Sequence, residues 1–348
     1  MIFDEVKLAG YPRTVQIVRG RRAIAPLGRK LGGPAVAIGN FDGVHLGHQA
    51  LLREARRLAQ ASGAEVVALT FDPHPARFFA PDLAPPMLTT LERRAELLGE
   101  AGADTVLIEP FTAELAGMTA EAFVEQVLAH ELGARHVVVG SDFSFGKNRL
   151  GKVDLLCTLG QRHGIGVSVI PQVSVNAVPC SSTKIREFVL EGRVEGARML
   201  LGRPFEIEGD VGRGFGRGRT LGAPTANITN AGEILPRAGV YAGQARRMGA
   251  LPADERDQVW YPAAISIGTN PTFADQGDPQ LLVEAYLLDF QGDLYGARLR
   301  LAFLAHLREQ RRFAAAEDLA DAIKQDISRV REICTDLAQV AQVCDHGP

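Results

Sequence analysis

The feature that most constrains the fold is a change in the pattern of apolar residues near residue 200. Before it, short apolar runs alternate with amphipathic stretches; after it, apolar runs follow one another across turns rich in Gly, Pro and Asp. Strands that alternate with helices form a parallel sheet covered by helices. Strands joined by turns alone pair antiparallel, as in a small barrel. The chain of 348 residues is therefore expected to hold two domains of different class.

In the first half, short β-branched runs predict buried strands, and the stretches between them predict helices. Thr89 and Glu92 have the spacing of a capping box for one of these helices. We expect strands at 35–39, 65–71, 104–110, 136–140 and 166–171, and helices at 49–62, 90–102, 119–132 and near 152–163.

In the second half, the runs predict mostly antiparallel strands and a closing amphipathic helix at about 315–340. A domain boundary near Leu201–Pro204 divides the chain into domains 1–202 and 203–348. The charged segment 254–258 is expected at a solvated hairpin tip. We expect strands at 206–211, 239–247, 259–268, 281–290 and 297–305.

Composition excludes several classes of protein. The 38 Lys and Arg residues against 41 Asp and Glu residues give a net charge of −3, which argues against a protein that coats nucleic acid. No apolar run approaches the ~18 residues of a membrane span, and the N-terminus shows no secretory signal. The four cysteines lack metal-site spacing, and so few in a long chain are typical of a reducing compartment. We therefore expect a cytoplasmic protein that binds neither nucleic acid nor membrane.

The segment GNFDGVHLGH (39–48) follows a predicted strand, where open parallel sheets bind ligands. His45 and His48 can face one side at the first turn of a helix, whose N-terminus attracts phosphate. Gly43 and Gly47 let a ligand approach the backbone, and the histidines can stabilise charge on a leaving pyrophosphate. A lone His-x-x-His is usually incidental, and the Glu of a HExxH zinc site is absent. The Gly-flanked turn nevertheless favours a phosphate site.

A second cluster, SSTKIREF (181–188), places three hydroxyls before a helix that carries Lys184 and Arg186. Helix capping would explain one hydroxyl but not three followed by two cations. The cluster therefore predicts a second phosphate clamp. No Walker A motif is present, since GSDFSFGKN (140–148) has the wrong spacing and ends in Asn148.

The second domain opens with GDVGRGFGRGRTLG (209–222), which holds six glycines and three arginines. Such a segment could be a flexible linker. Thr225 and Asn227 follow it directly, however, and their side-chain oxygens suit Mg²⁺ on a nucleotide. A glycine-rich arch can then offer backbone N–H groups to phosphates.

Taken in order, these motifs resemble the bifunctional bacterial riboflavin kinase/FMN adenylyltransferase (FAD synthetase) family. Four segments resemble its adenylyltransferase module: GNFDGVHLGH (39–48), which we call the histidine turn, TFDPHP (70–75), VGSDFSFG (139–146) and SSTKIRE. GRTLGAPTANI, LPRAGVYAG (235–243), SIGTNPTF (266–273), VEAYLLDFQGDLYG (283–296) and LREQRRF (307–313) resemble its flavokinase module. The resemblance implies an α/β chain: a Rossmann-like nucleotidyltransferase domain with a parallel sheet, then a six-stranded antiparallel Greek-key β-barrel with a terminal helix.

The resemblance also implies the chemistry. Riboflavin would be phosphorylated to FMN by ATP in the second domain, and FMN adenylylated to FAD by ATP in the first, with pyrophosphate released and Mg²⁺ as cofactor. Glu284 would be the general base of the kinase. The implied catalytic residues are His45, His48, Arg186 and Glu284, and the implied metal ligands are Thr225 and Asn227. The implied ATP and phosphate contacts are Gly39, Asn40, Phe41, Gly43, Gly47, Ser181, Ser182, Thr183, Gly216, Arg217, Arg219 and Gly222. The implied flavin contacts are Asp72, Asp142, Phe143 and Arg308.

The sequence leaves three alternatives. Departures from the family pattern at Asp142 and Lys152 would suit a flavokinase whose other half has decayed. A class I aminoacyl-tRNA ligase also uses an HxGH-like turn, although SSTKIRE poorly matches its second motif and the charge balance gives no basic RNA surface. A non-catalytic flavin or nucleotide binder would bind these ligands without turnover.

Overall fold

The computed structural model describes residues 3–7, 14–23, 33–212, 225–230, 232–248, 259–269, 281–311, 313 and 315–344. The chain divides into two compact units, residues 1–182 and 183–348. Within the described ranges, no helix combines the length and apolar character that a membrane crossing needs.

The first unit is built on a seven-stranded sheet in which six strands run parallel. The strand order is β1-β2-β5-β4-β3-β6-β9, and β1 is antiparallel at the edge. The chain leaves β3 on one side and returns on its other side with β6, so the carboxyl end of β3 is a topological switch point, where such sheets bind ligands. The strands of this sheet are β1 (Phe3–Lys7), β2 (Thr14–Arg19), β3 (Ala35–Ile38), β4 (Val66–Asp72), β5 (Thr105–Pro110), β6 (His136–Gly140) and β9 (Gly166–Ile170). Between β6 and β9, the short strands β7 (Ser144–Phe145) and β8 (Gly151–Lys152) pair as a separate hairpin. A hairpin of β10 (Ser174–Val175) and β11 (Val178–Pro179) follows.

The helices of this unit cover both faces of the sheet. Val36 and Ile38 of β3 pack on one face with Val124 and Leu128, and the alternate residues pack on the other face with the helix after β3. Burial on both faces is why these strands are nearly continuous apolar runs. The helices are α1 (Leu46–Ser62), α2 (Pro75–Phe79), α3 (Leu91–Glu100), α4 (Ala113–Gly117), α5 (Ala120–Ala122) and α6 (Val153–Arg162), with a π-helix at Phe123–Glu131 and 3₁₀ turns at Pro81–Leu83 and Lys147–Arg149.

Three details differ from the sequence-based prediction. The helix expected at 119–132 begins as α5 and then widens into the π-helix. The capping box at Thr89 is wrong, because Thr90 is the N-cap and its hydroxyl accepts the N–H of Arg93 at 3.1 Å. Strands β1 and β2 were not predicted.

The second unit contains a closed six-stranded barrel whose strand pairs are all antiparallel. A terminal helix packs on it through Val330 and Cys334, so the expected architecture is confirmed. Helices α7 (Ser182–Leu190) and α8 (Val194–Leu201) precede the barrel. The later elements are β12 (Phe205–Gly212), β13 (Ala226–Asn230), β14 (Gly239–Met248), β15 (Tyr261–Thr269), β16 (Leu281–Leu287), β17 (Arg298–Arg308) and α9 (Ala316–Cys344). The sequence pattern missed β13, and the expected hairpin tip at 254–258 lies outside the described residues.

A cluster of charged side chains lies on β12 and β17, on the face that alternates with the interior residues Ile207 and Leu301. Arg300 is 1% exposed, and its Nε donates to Oε1 of Glu208, its neighbour across the β12–β17 ladder, at 2.8 Å. Arg298 donates to the other oxygen of Glu208 at 3.0 Å. Glu233 accepts the backbone N–H of Glu208 at 2.9 Å, and burial raises its pKa to about 7.

Candidate active sites

The histidine turn joins β3 to α1, and its two histidine rings stack. His45 is the N-cap of α1, and its Nδ1 accepts the backbone N–H of His48 at 3.4 Å. The ring centroids are 3.7 Å apart with an angle of 18° between the planes, and the Phe41 ring meets His48 edge-on at 5.1 Å. His45 is buried and His48 partly exposed. Both rings therefore lie at the first turn of α1, as their spacing predicts.

The backbone of this turn is strained. Phe41, Gly43 and Val44 have φ of 51°, 81° and 41°, and left-handed backbone costs a non-glycine residue roughly 1–2 kcal/mol. Gly47 is required for a different reason: a Cβ built there would lie 3.0 Å from Cε1 and 3.1 Å from Nδ1 of His45. The absence of a side chain at position 47 leaves room for the His45 ring.

Hydrogen bonds from outside the turn hold this conformation, and most of them converge on Asp42. Its carboxylate is buried and accepts the N–H of Leu88 at 3.0 and 3.1 Å, the N–H of Thr89 at 3.3 Å and the Thr89 hydroxyl at 3.4 Å. The Arg94 guanidinium lies 4.0 Å away. Sequence reasoning missed Asp42, although an acid between Phe41 and Gly43 in a phosphate-facing turn was a visible anomaly.

Of the three predicted hydroxyl residues, Ser182 contacts the histidine turn. The Ser182 hydroxyl donates to the carbonyl of Asp42 at 2.9 Å. Ser181 is half-buried and Thr183 exposed. On α7, the Lys184 amino group pairs with Glu187 at 2.6 Å, and the Arg186 side chain is buried.

The expected flavin residues follow the two strands that flank β3. Asp72 ends β4, while Asp142 and Phe143 follow β6. Because β4, β3 and β6 are parallel neighbours, their carboxyl ends share one edge with the histidine turn. Both carboxylates are exposed, and Phe143 stacks on Phe145 with centroids 5.5 Å apart. Asn40, an expected phosphate contact, lies at the same edge. It is exposed, and its backbone carbonyl accepts a hydrogen bond from the Thr70 hydroxyl at 3.1 Å.

An aromatic cluster at this edge was not predicted. The Phe111 ring, after β5, meets those of Phe71, Phe78 and Phe79 edge-on with centroids 5.4–5.8 Å apart. Phe79 is 66% exposed. The cluster offers an apolar surface beside Asp72, and the adjacent Phe pair in TFDPHPARFF was its sequence signal.

In the barrel, two of the predicted residues lie opposite each other. Asn227 on β13 is the register partner of Glu284 on β16, and Glu284 is the partner of Ser266 on β15. Directly paired residues share a face of the sheet. Val283 and Ala285 are buried while Glu284 is half-buried, so alternation places Glu284 on the outer face of the barrel. Thr225 immediately precedes β13.

Ser266 and Gln310 were not predicted as part of this face. The amide Nε2 of Gln310 donates to the Ser266 hydroxyl at 3.0 Å. Arg308, an expected flavin contact, is held by Asp326: its Nε and Nη2 donate to Oδ2 at 3.0 and 2.8 Å. The expected phosphate contacts Gly216, Arg217, Arg219 and Gly222 lie outside the described residues.

The two units together define a class: an α/β nucleotidyltransferase unit followed by a barrel unit in which an acid lies opposite an amide side chain. Comparison with known proteins makes this specific. The family model for FAD synthetase matches residues 29–184, and that for riboflavin kinase matches residues 201–334. The chain belongs to the bifunctional riboflavin kinase/FMN adenylyltransferase family.

Individual relatives cover most of the chain. The bifunctional riboflavin kinase/FMN adenylyltransferase of Pseudomonas fluorescens is 39% identical over 92% of this chain and 98% of its own length. That of Escherichia coli K12 is 36% identical over 86% and 92%, respectively. A crystal structure from Streptococcus pneumoniae, described as a macrolide-efflux protein, superposes with a TM-score of 0.76 at 27% identity over 90% of this chain and 98% of that one. The shared fold therefore includes most residues of both units.

Proposed function

We propose that the chain makes FMN from riboflavin and ATP at the barrel, and then FAD from FMN and a second ATP at the histidine turn. Membership of a family that joins both modules supports the pairing of activities. The observation that carries the residue assignment is the His45–His48 stack at the switch point of the parallel sheet. We place the functional boundary near residue 202, and the gap between the matched ranges, 185–200, lies close to it.

At the histidine turn, the FMN phosphate attacks the α-phosphorus of ATP and pyrophosphate leaves. A phosphate monoester has a second pKa of about 6, so it is largely dianionic at pH 7 and needs no general base. His45, His48 and Arg186 stabilise charge on the departing pyrophosphate. Gly39, Asn40, Phe41, Gly43, Gly47 and the hydroxyls of Ser181, Ser182 and Thr183 form the phosphate cradle. Asp72, Asp142 and Phe143 contact the flavin side.

At the barrel, Glu284 accepts the proton of the riboflavin 5′-hydroxyl, whose oxygen attacks the γ-phosphorus of ATP. Half-burial of Glu284 favours this role, because a base must reach its proton and benefits from reduced solvation. Thr225 and Asn227 offer hard oxygen donors and would hold the Mg²⁺ that accompanies ATP. When bound, that ion would neutralise phosphate charge.

The remaining assignments complete the barrel site. Arg308 contacts the flavin while Asp326 fixes its orientation, and the glycine-rich segment, with Gly216, Arg217, Arg219 and Gly222, contacts ATP. The spacing of the cysteines supports a cytoplasmic setting for both reactions.

The experiment separates the two sites within one chain. Each variant is incubated with riboflavin, ATP and Mg²⁺, or with FMN, ATP and Mg²⁺, and the flavins are separated by chromatography. His45→Ala with His48→Ala should accumulate FMN without FAD. Glu284→Gln should make no FMN, yet convert supplied FMN to FAD.

Each variant is the control for the other, since a misfolded chain would lose both activities. A histidine double variant that makes FAD at the normal rate would refute the first assignment. Parent chain that makes FMN but no FAD would support the decayed-half alternative, and binding without any turnover would support the non-catalytic one.

A further inference from the structure

The hairpin that follows β6 is a strongly charged, exposed feature that the assignments above do not use. We call residues 144–152, formed by β7, β8 and the 3₁₀ turn between them, the basic hairpin. It carries Lys147, Arg149 and Lys152, all exposed. The sequence holds no acidic residue between Asp142 and Asp154.

The basic hairpin is firmly seated. The ring of Phe145, which is buried, lies 5.7 Å from that of Phe123. The backbone N–H of Lys147 donates to the carbonyl of Met118 at 2.7 Å. A Cβ built at Gly146 would lie 2.7 Å from the backbone nitrogen of Ala120. The base of the hairpin is therefore fixed to residues 118–123, which include α5 and the first residue of the π-helix.

Its turn adopts a costly conformation that directs charge outward. Asn148 and Arg149 have φ of 56° and 57°, and strained non-glycine backbone costs roughly 1–3 kcal/mol per residue and is concentrated at functional sites. Arg149 is additionally held by a bond from its Nε to the Ser144 hydroxyl at 2.8 Å.

These three cations differ from most others in the unit. Arg57 and Arg93, for example, pair with carboxylates on their own helices. Within the described part of the chain, no carboxylate lies in ion-pair range of Lys147, Arg149 or Lys152. Three like charges on six residues repel one another, and the chain as a whole has a net charge of −3. The hairpin is thus a local positive patch on an acidic protein.

Its position indicates the ligand. β6 lies beside β3 in the sheet, so the hairpin rises from the same carboxyl edge as the histidine turn. Both substrates of adenylyl transfer are polyanions that carry phosphate oxygens. We propose that the basic hairpin is a phosphate-binding element of the adenylyl-transfer site, in which Lys147, Arg149 and Lys152 capture the phosphates of ATP or of FMN. This inference rests on the assignment of that reaction to the histidine turn.

The test measures FMN adenylylation by the full chain as a function of salt. Lys147→Gln with Lys152→Gln removes two charges from the hairpin. Arg135→Gln with Arg162→Gln is the matched control, because both residues are exposed and lie towards the amino edge of the same sheet. At low salt the hairpin variant should lose about tenfold in kcat/KM, in the range of electrostatic steering effects. Its kcat should stay within about twofold, since the loss of a contact that assists only binding raises KM and leaves kcat unchanged.

The difference should shrink in 0.5 M salt, where the screening length falls to between the ~10 Å of 0.1 M and the ~3 Å of 1 M. A rise of KM for ATP alone or for FMN alone identifies which phosphate is bound. Arg149→Gln should add to the loss. Equal losses in the hairpin and control variants, or an unchanged kcat/KM in the hairpin variant at low salt, would overturn the proposal.

The His45→Ala, His48→Ala variant is run in parallel. If it loses activity while the hairpin variant keeps it, the proposal about the hairpin fails and the assignment of the histidine turn stands. If the histidine variant itself remains active, the proposed site is wrong. Riboflavin phosphorylation and the thermal midpoint should be unchanged in the hairpin and control variants. These two measurements establish that both variants remain folded.

Discussion

Gly47→Ala should separate stability from activity in the first unit. Gly47 is the second residue of α1, where alanine has the better helix propensity, by up to about 1 kcal/mol. The new Cβ, however, would lie 3.0 Å from Cε1 of His45, whereas ordinary contact begins at about 3.4 Å. The His45 ring must therefore move by about 0.4 Å.

The structure leaves that ring little freedom. His45 is 6% exposed, and the ring of His48 stacks against it at 3.7 Å. A misplacement of 1 Å in a catalytic group can cost about 10²-fold in rate, so a shift of this size should cost about tenfold. We expect conversion of supplied FMN to FAD to fall by about that factor while the thermal midpoint stays level or rises.

The assay has two controls. Gly117→Ala is the matched variant, because a Cβ at this helical glycine has no atom within 4 Å, and it should leave adenylylation unchanged. Riboflavin phosphorylation by Gly47→Ala should match that of the parent chain. A Gly47→Ala variant whose adenylylation rate equals that of Gly117→Ala would refute the argument that position 47 is empty to accommodate His45.

Three further outcomes concern stability. Burial raises the pKa of Glu233 from 4.5 to about 7. The contribution of this group to the free energy of unfolding is therefore fully present below about pH 4.5, and up to roughly 3 kcal/mol is lost as the pH rises through 7. Glu233→Gln should therefore raise the thermal midpoint more at pH 8 than at pH 5, and equal shifts would contradict this. Arg300→Met should destabilise the barrel by about 3 kcal/mol in urea unfolding, because Glu208 loses its buried partner, and adding Glu208→Leu should recover much of the loss. Ala177→Gly should raise the free energy of unfolding in urea by about 0.5–1 kcal/mol, because Ala177 has φ 63° in the turn between β10 and β11, and an unchanged free energy would contradict the strain.

The sequence was sufficient wherever one local pattern decided the structure. The strands β3, β4, β5 and β6 lie within a residue of their predicted bounds, because burial on both faces produces unbroken apolar runs. The histidine turn was recognisable because its glycines, its histidines and the following helix all lie within ten residues.

What the sequence could not show depends on contacts distant in the chain. Asp42 acts through Leu88 and Thr89, and no spacing rule connects residues 46 positions apart. The capping prediction failed for the same reason, since the Thr89 hydroxyl serves Asp42 and leaves the cap to Thr90. Strand β13 was missed because we considered Asn227 only as an oxygen donor. Its neighbours Ala226 and Ile228 are buried, as expected of alternate residues in a barrel strand.

The bond from Ser182 to the carbonyl of Asp42 joins residues 140 positions apart. It has a consequence for synthesis on the ribosome, where the chain emerges from its N-terminus. The strands β3 to β6 can pair once residue 140 has emerged, but the strained turn gains this brace only when residue 182 follows. Since non-local contacts form late and domains fold in order of emergence, a nascent chain would complete its sheet before its phosphate cradle. A ribosome-bound chain that ends shortly before residue 182 should therefore be compact and yet unable to adenylylate FMN.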